Sequence, residues 1–231
     1  MTKLSKTLKA IELTKIFPHP SKEGTNIPIF AGASFEMMSN NINFVIGPSG
    51  SGKTTLLRIL MGIESINAGE IFLDERVIHQ LKGKEKIQFL KTVGYMDQFP
   101  AKFLSMNFSV RQNLDYSLVL RKKIPTEERK KIIQEIAEHF EISNLLNRKT
   151  ILLSGGELRR LALACNLIFE PKVLLCDEPT SHLDSENKEM VMNTISKLND
   201  LFDTLIVIAS HDNSIIGSNP TFTISERRIV K

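Results

Sequence analysis

One short segment limits what this chain can fold into more than any other: Gly47-Pro48-Ser49-Gly50-Ser51-Gly52-Lys53-Thr54-Thr55. It fits the pattern G-x-x-x-x-G-K-[ST]. An apolar strand-like run, Asn43-Phe44-Val45-Ile46, enters it, and a helix-forming run from Leu56 to Met61 leaves it. Glycines at this spacing let successive backbone N–H groups turn inward around phosphate oxygens, at the positive end of the following helix. Lys53 is then placed to reach β- and γ-phosphates, and the Thr54 hydroxyl to bind Mg²⁺. The segment specifies a nucleoside triphosphate and little more, since a GTPase, a kinase or a helicase would carry it equally well.

The surrounding pattern is that of an α/β domain with a largely parallel sheet, because short strand-like runs alternate with helical ones. Ala10 to Leu13, Ala33 to Met37 and Ile42 to Ile46 read as early strands, Thr54 to Met61 as a helix, and Glu70 to Leu73 and Val93 to Met96 as strands again. Val110 to Leu146 changes to helical periodicity (Ile132, Ile133, Ile136, Ala137, Phe140), the mark of a helical subdomain inserted between strands. Val173 to Cys176 and Leu205 to Ala209 are near-continuous apolar runs, as suits parallel strands covered on both faces. Thr221 to Lys231 alternates and predicts a terminal hairpin.

Composition narrows the class. The 231 residues are 42% hydrophobic and 24% charged, the balance of an ordinary globular protein. A net charge of +4 is too mild to argue for nucleic acid. Cys165 and Cys176 lie in apolar runs without metal-ligand spacing and read as reduced, buried thiols. The polar start, Met1 to Lys6, lacks the apolar stretch of a signal peptide. No apolar run approaches the roughly 20 residues of a membrane span. A membrane component, where one is needed, is therefore expected on another chain.

The second chemical feature is Val173-Leu174-Leu175-Cys176-Asp177-Glu178, an apolar run ending in two acids before Pro179-Thr180. Such a strand delivers Asp177 to the carboxyl edge of the sheet, where nucleotides bind in these folds. There Asp177 would hold Mg²⁺ through water, and Glu178 would polarise a water toward the γ-phosphate.

Leu152-Leu153-Ser154-Gly155-Gly156-Glu157-Leu158-Arg159-Arg160, together with the run from Leu174 through Asp177, Glu178 and Pro179 to Asp184, strongly resembles the signature and Walker B/D-loop of ABC (ATP-binding cassette) ATPases. The other landmarks of that family have counterparts in the same order. Phe17 matches the aromatic that stacks on adenine, Gln98 the Q-loop glutamine and His211 the switch histidine. The resemblance covers essentially the whole chain. It implies one domain over residues 1–231, a P-loop NTPase core with an N-terminal antiparallel β subdomain, and a helical subdomain over about residues 99–165. It implies ATP and Mg²⁺ as ligands, with Thr54, Gln98 and Asp177 on the metal and Glu178, His211 and Lys53 in catalysis. It further implies a head-to-tail dimer, expected to be a homodimer, in which Ser154, Gly155, Gly156 and Asp184 face the nucleotide of the second protomer.

Ser154-x-x-Glu157 is also a capping box, so Ser154 should start a helix running to about Ile168. Glu157 stands where many relatives have glutamine. A carboxylate aimed at a γ-phosphate would be repelled, so Glu157 is expected to cap the helix and turn away. Cys165 replaces a usual arginine and His182 a small D-loop residue, and neither removes a group from the chemistry.

The function implied is an ATP-hydrolysing subunit that energises separate transmembrane permease subunits from the cytoplasmic face of a membrane. The segment around Ser65 to Leu81 looks most like ATPases of lipoprotein-release and macrolide or peptide export systems. Two other classes share the motifs. A soluble machine in translation or DNA repair would carry two cassettes or a long coiled coil, and neither stands here. A cell-division or signalling ATPase on a membrane partner is not separated from a transporter by sequence. With about twenty residues after His211, no regulatory C-terminal domain is expected.

Overall fold

The computed structural model describes residues 6–181, 183–201 and 204–230; Met1 to Ser5 and His182, both weighed above, lie outside the described residues. Two sheets organise the chain. The first is antiparallel, with order β2-β1-β4-β5. It is formed by β1 (Thr7–Pro18), β2 (Asn26–Met38), β4 (Ala68–Leu73) and β5 (Arg76–Val77). The second has order β10-β9-β3-β8-β7-β6. It contains β3 (Ile42–Ile46), β6 (Val93–Met96), β7 (Val173–Asp177), β8 (Leu205–Ser210), β9 (Thr221–Ser225) and β10 (Arg228–Val230).

Strands β3, β8, β7 and β6 all run parallel. Their runs read as continuous apolar stretches because each face of this sheet belongs to a different core. Phe44, Leu174, Cys176, Ile206 and Ile208 pack with the helices α3 (Val110–Val119), α4 (Thr126–His139) and α5 (Gly155–Leu167). The alternate residues Val45, Leu175, Val207 and Ala209 pack with α1 (Lys53–Leu60) and the antiparallel sheet. The period-2 alternation of a strand thus divides one run between two cores. It also sends Asp177, two residues after Leu175, toward the α1 side.

Strands β1 and β2 are much longer than the runs that announced them. Register shifts between Ala10 and Leu13, and between Leu13 and Ile16, break the alternation by which a strand is recognised. The terminal hairpin forms between β9 and β10, but β9 also pairs in parallel with β3, extending the sheet beside the P-loop strand. Helices α2 (Gly83–Leu90) and α6 (Ser185–Leu201) were not anticipated, as both are polar over most of their length. Between β6 and β7, helices α3, α4 and α5 follow one another without a strand.

The bulge in β1 puts Glu12 at φ 50° and demands a glycine opposite it. Gly69 has φ 92°, and a Cβ there would lie 2.4 Å from the Glu12 carbonyl oxygen. Gly69→Ala should therefore destabilise the protein by at least about 1–3 kcal/mol, as strain and backbone contact add. A lowered urea midpoint at unchanged m would show it; an unchanged midpoint would remove the bulge from this role.

Candidate functional site

The loop from Gly47 to Gly52 joins β3 to α1, and its glycines do specific work. Gly52 is the N-cap of α1 at φ 103°, and no side chain caps it, so the first N–H groups of the helix point into the loop. A Cβ on Gly52 would meet Ile29 at 2.5 Å. The Ser51 hydroxyl is buried without a partner. Uncapped amides, a partnerless buried hydroxyl and a buried cation on one concave loop are the donor set an anion such as phosphate requires.

Ser49, Gly50, Gly52, Lys53, Thr54 and Thr55 line a cleft of about 320 Å³, joined by Ile29, Gln98, Asp177, Glu178 and His211. Three of these chain segments meet here because β3, β7 and β8 end at one edge: Ile46 lies beside Ser210, and Asp177 beside Ala209. Lys53 Nζ donates to the carbonyls of Gly47 (2.7 Å) and Pro48 (3.2 Å) and lies 3.5 Å from Glu178 Oε1. Thr54 Oγ1 donates to Asp177 Oδ2 at 2.7 Å. Burial pushes the Asp177 carboxyl above its ordinary pKa, opposed by the Thr54 hydroxyl and raised further by Glu178. A positive charge placed between them would relieve that burial. Thr54, Asp177 and Gln98 are hard oxygen donors, and so few protein ligands suit Mg²⁺, which keeps waters and phosphates in its shell. Among the described residues no cluster of three or more His, Cys, Asp or Glu forms a self-sufficient metal site.

Glu178 has φ 51°, a left-handed backbone unusual outside glycine. Its N–H donates to the Ala209 carbonyl (2.9 Å). Its Oε1 lies 2.9 Å from His211 Nδ1, and Ser210 Oγ is 3.5 Å from its Oε2. The strained turn thus aims the carboxylate across the cleft at Lys53 and His211, between the two ends of the neighbouring strands.

The signature residues stand apart from this cleft. Ser154 caps α5: its hydroxyl accepts from Glu157 N (3.3 Å), and Glu157 Oε2 accepts from Ser154 N (2.7 Å). The Ser154 N–H holds the Glu157 carboxyl below its ordinary pKa, and the side chain is turned back on its own helix end. Gly155 faces open space, while a Cβ on Gly156 would press Asn187 Oδ1 at 2.9 Å. Asn187 is held by Asp184, which accepts from its backbone N–H (2.8 Å) and its side chain. Phe17 is not among the cleft-lining residues; it is the last residue but one of β1, opposite Ile27 on the neighbouring strand.

Sequence reading passed over two tethers. Arg159 on α5 is buried, its guanidinium donating to the carbonyls of Pro179 (3.2 Å) and Ser181 (2.5 Å). It joins the signature helix to the turn that carries Glu178, and an arginine on the apolar face of a helix was the available signal. Lys188 on α6 pairs with Asp212 at 2.5 Å, next to His211. Both thiols are buried and pushed up to about 12, so neither is nucleophilic.

The sequence profile described as "ABC transporter" matches residues 30–181. A lipoprotein-releasing system ATP-binding protein, LolD, of Buchnera aphidicola subsp. Schizaphis graminum is 34% identical over 92% of this chain and 91% of that protein. An sn-glycerol-3-phosphate import ATP-binding protein, UgpC, of Bordetella avium is 33% identical over 81% of this chain, which spans 50% of that protein. Among solved structures, cbiO1 from Clostridium perfringens, part of the ABC transporter complex cbiONQ, superposes with TM-score 0.86 at 27% identity, covering 97% of this chain and 86% of that one. The cassette MJ0796, in a dimeric post-hydrolysis state bound to ADP and Pi, gives 0.82 at 25% identity over 97% of each chain.

Lys188, aided by the Ser214 hydroxyl and amide, holds the Asp212 carboxyl well below the usual carboxylate range. Its stabilisation is present above the unfolded pKa, near 3.8, and is lost as pH falls toward the depressed folded value. Asp212→Asn should thus lower stability at neutral pH, by up to about 1 kcal/mol for a partly exposed pair. The gap should begin to narrow below about pH 4 and be lost only toward the depressed folded value. Urea midpoints of both proteins across pH 2–7 test this, and a pH-independent gap would contradict it.

Proposed function

Because the chain belongs to the ABC transporter family, we propose that it is a Mg-ATP-hydrolysing subunit that closes head-to-tail on a second copy and so drives separate membrane-spanning permease subunits. The observation that carries this reading is the convergence of Lys53, Thr54, Gln98, Asp177, Glu178 and His211 on one cleft at the sheet edge. Matching cassettes named for transport systems support the coupling to a permease. The near full-length match to a lipoprotein-release subunit supports the export or lipid-extraction type.

In this reading the loop amides from Gly47 to Thr55 bind the phosphates, and Lys53 exchanges its two carbonyl partners for β- and γ-phosphate oxygens. Thr54, Gln98 and Asp177 would hold Mg²⁺, which would supply positive charge against that developing on the phosphates. Glu178 orients the attacking water and accepts its proton; His211 holds the γ-phosphate side of the cleft. Phe17 stacks on the adenine. Ser154 and Gly155, exposed at the N-terminus of α5, and the half-buried Gly156 close on the nucleotide of the second protomer with Asp184 at the seam. Glu157 caps that helix.

The domain plan is one cassette over residues 1–231, with the helical subdomain at about residues 99–165. A groove of about 460 Å³ runs between its helices and the core, lined among others by Arg58, Tyr95, Phe103, Leu120 and Arg121. In this reading the groove takes a coupling helix of the permease, and the chain works at the inner face of the membrane. Among the described residues no helix is long and apolar enough to cross a bilayer.

Glu178→Gln tests the assignment. Steady-state phosphate release should fall by about 10²–10⁴-fold, as for loss of a general base. The Kd for Mg-ATP should stay within about threefold, since the amide keeps the shape. Turnover like that of the unaltered protein would refute it.

A further inference from the structure

Lys15 has no place in the chemistry described so far, yet its placement is unusual. It sits near the end of β1, two residues before Phe17, and is 5% exposed. Buried lysines are rare unless paired. Its ammonium donates to Glu64 Oε1 at 2.6 Å and to the Ser65 carbonyl at 2.8 Å. From that anchored position Nζ lies 4.3 Å from the centroid of the Phe17 ring.

Glu64 and Ser65 belong to the loop just after α1, the helix whose first residue is Lys53. The same loop is stitched to β1 twice more: Asn67 Oδ1 accepts from Ile16 N (2.7 Å), and Asn67 N donates to the Thr14 carbonyl (2.9 Å). The phosphate loop and the aromatic at the end of β1 are therefore tied to opposite ends of one helix.

We propose that Lys15 is a positioning residue for the nucleotide base: anchored by Glu64 and Ser65, its ammonium covers one face of Phe17, fixes the plane of the ring and leaves the other face for the base. This rests on the reading of Phe17 as the base-stacking residue. A ring with an ammonium at cation–π distance on one side has a single face free to stack. Because the anchor runs through α1, the free face keeps a set distance from the phosphate site.

The test compares Mg-ATP with inorganic tripolyphosphate, which uses the phosphate loop and has no base. In Lys15→Met, ATP affinity should fall roughly three- to tenfold, the range of a partly desolvated cation–π contact, while tripolyphosphate affinity holds. Lys15→Arg should retain ATP affinity. An equal loss for both ligands would make Lys15 a structural residue only, and no loss for either would remove it from binding; each overturns the proposal. Phe17→Ala separates the two readings. Unchanged ATP-to-tripolyphosphate preference in that variant defeats the stacking role of Phe17 itself, whereas a loss there with none in Lys15→Met defeats the role of Lys15 alone. Should Lys15→Met fail to fold, Glu64→Gln reads the same anchor: it should weaken ATP and spare tripolyphosphate, and unchanged ATP affinity would overturn the proposal.

Discussion

Everything at the site depends on one constraint: β3, β7 and β8 lie parallel, buried on both faces, and end in register. Ile46 beside Ser210 and Asp177 beside Ala209 fix where three loops begin. With Phe44, Val45, Leu174, Leu175, Ile206 and Val207 all fully buried, sliding any strand by one residue would exchange its two core faces. The two cores therefore act as the alignment device for the cleft. Thr54 meets Asp177 across 123 positions of sequence because both strand ends are held at one edge.

Much of this was legible beforehand, and the reasons are physical. The glycine pattern of residues 47–55 states a backbone geometry, and the two-sided burial of β7 and β8 writes itself as unbroken apolar runs. The capping box at Ser154 and Glu157 is a local device whose partners are three residues apart, and both reciprocal hydrogen bonds are present. What local reading reaches poorly is whatever a distant segment decides. The bulges of β1 depend on Gly69, and the parallel pairing of β9 with β3 spans the chain from end to end. Arg159 finds its partners twenty and more positions away, in carbonyls, which no residue type advertises.

Those tethers give the site a mechanical organisation. Arg159 binds the signature helix to the turn after Glu178, and Asn187, held by Asp184, abuts Gly156. Lys188 then links α6 to the loop bearing His211 through Asp212. The helix end that stands apart from the cleft is thus joined, by a handful of short contacts, to the acid and the imidazole inside it.

The network around Glu178 also bears on which anions the cleft selects. Lys53 and Glu178 answer one another's charge, His211 Nδ1 lies 2.9 Å from the same carboxylate, and Lys53 also donates to the carbonyls of its own loop. Lys53 is thereby matched by a carboxylate and two carbonyls of its own chain. An incoming anion gains only the difference between its own bonds to Lys53 and those it displaces, which favours a ligand that also reaches the loop amides and the Thr54–Asp177 pair. Inorganic anions that touch Lys53 alone meet a competitor already in place. Selectivity among anions thus lies in the partners that Lys53 already holds, set against the amides and the Ser51 hydroxyl that still lack one.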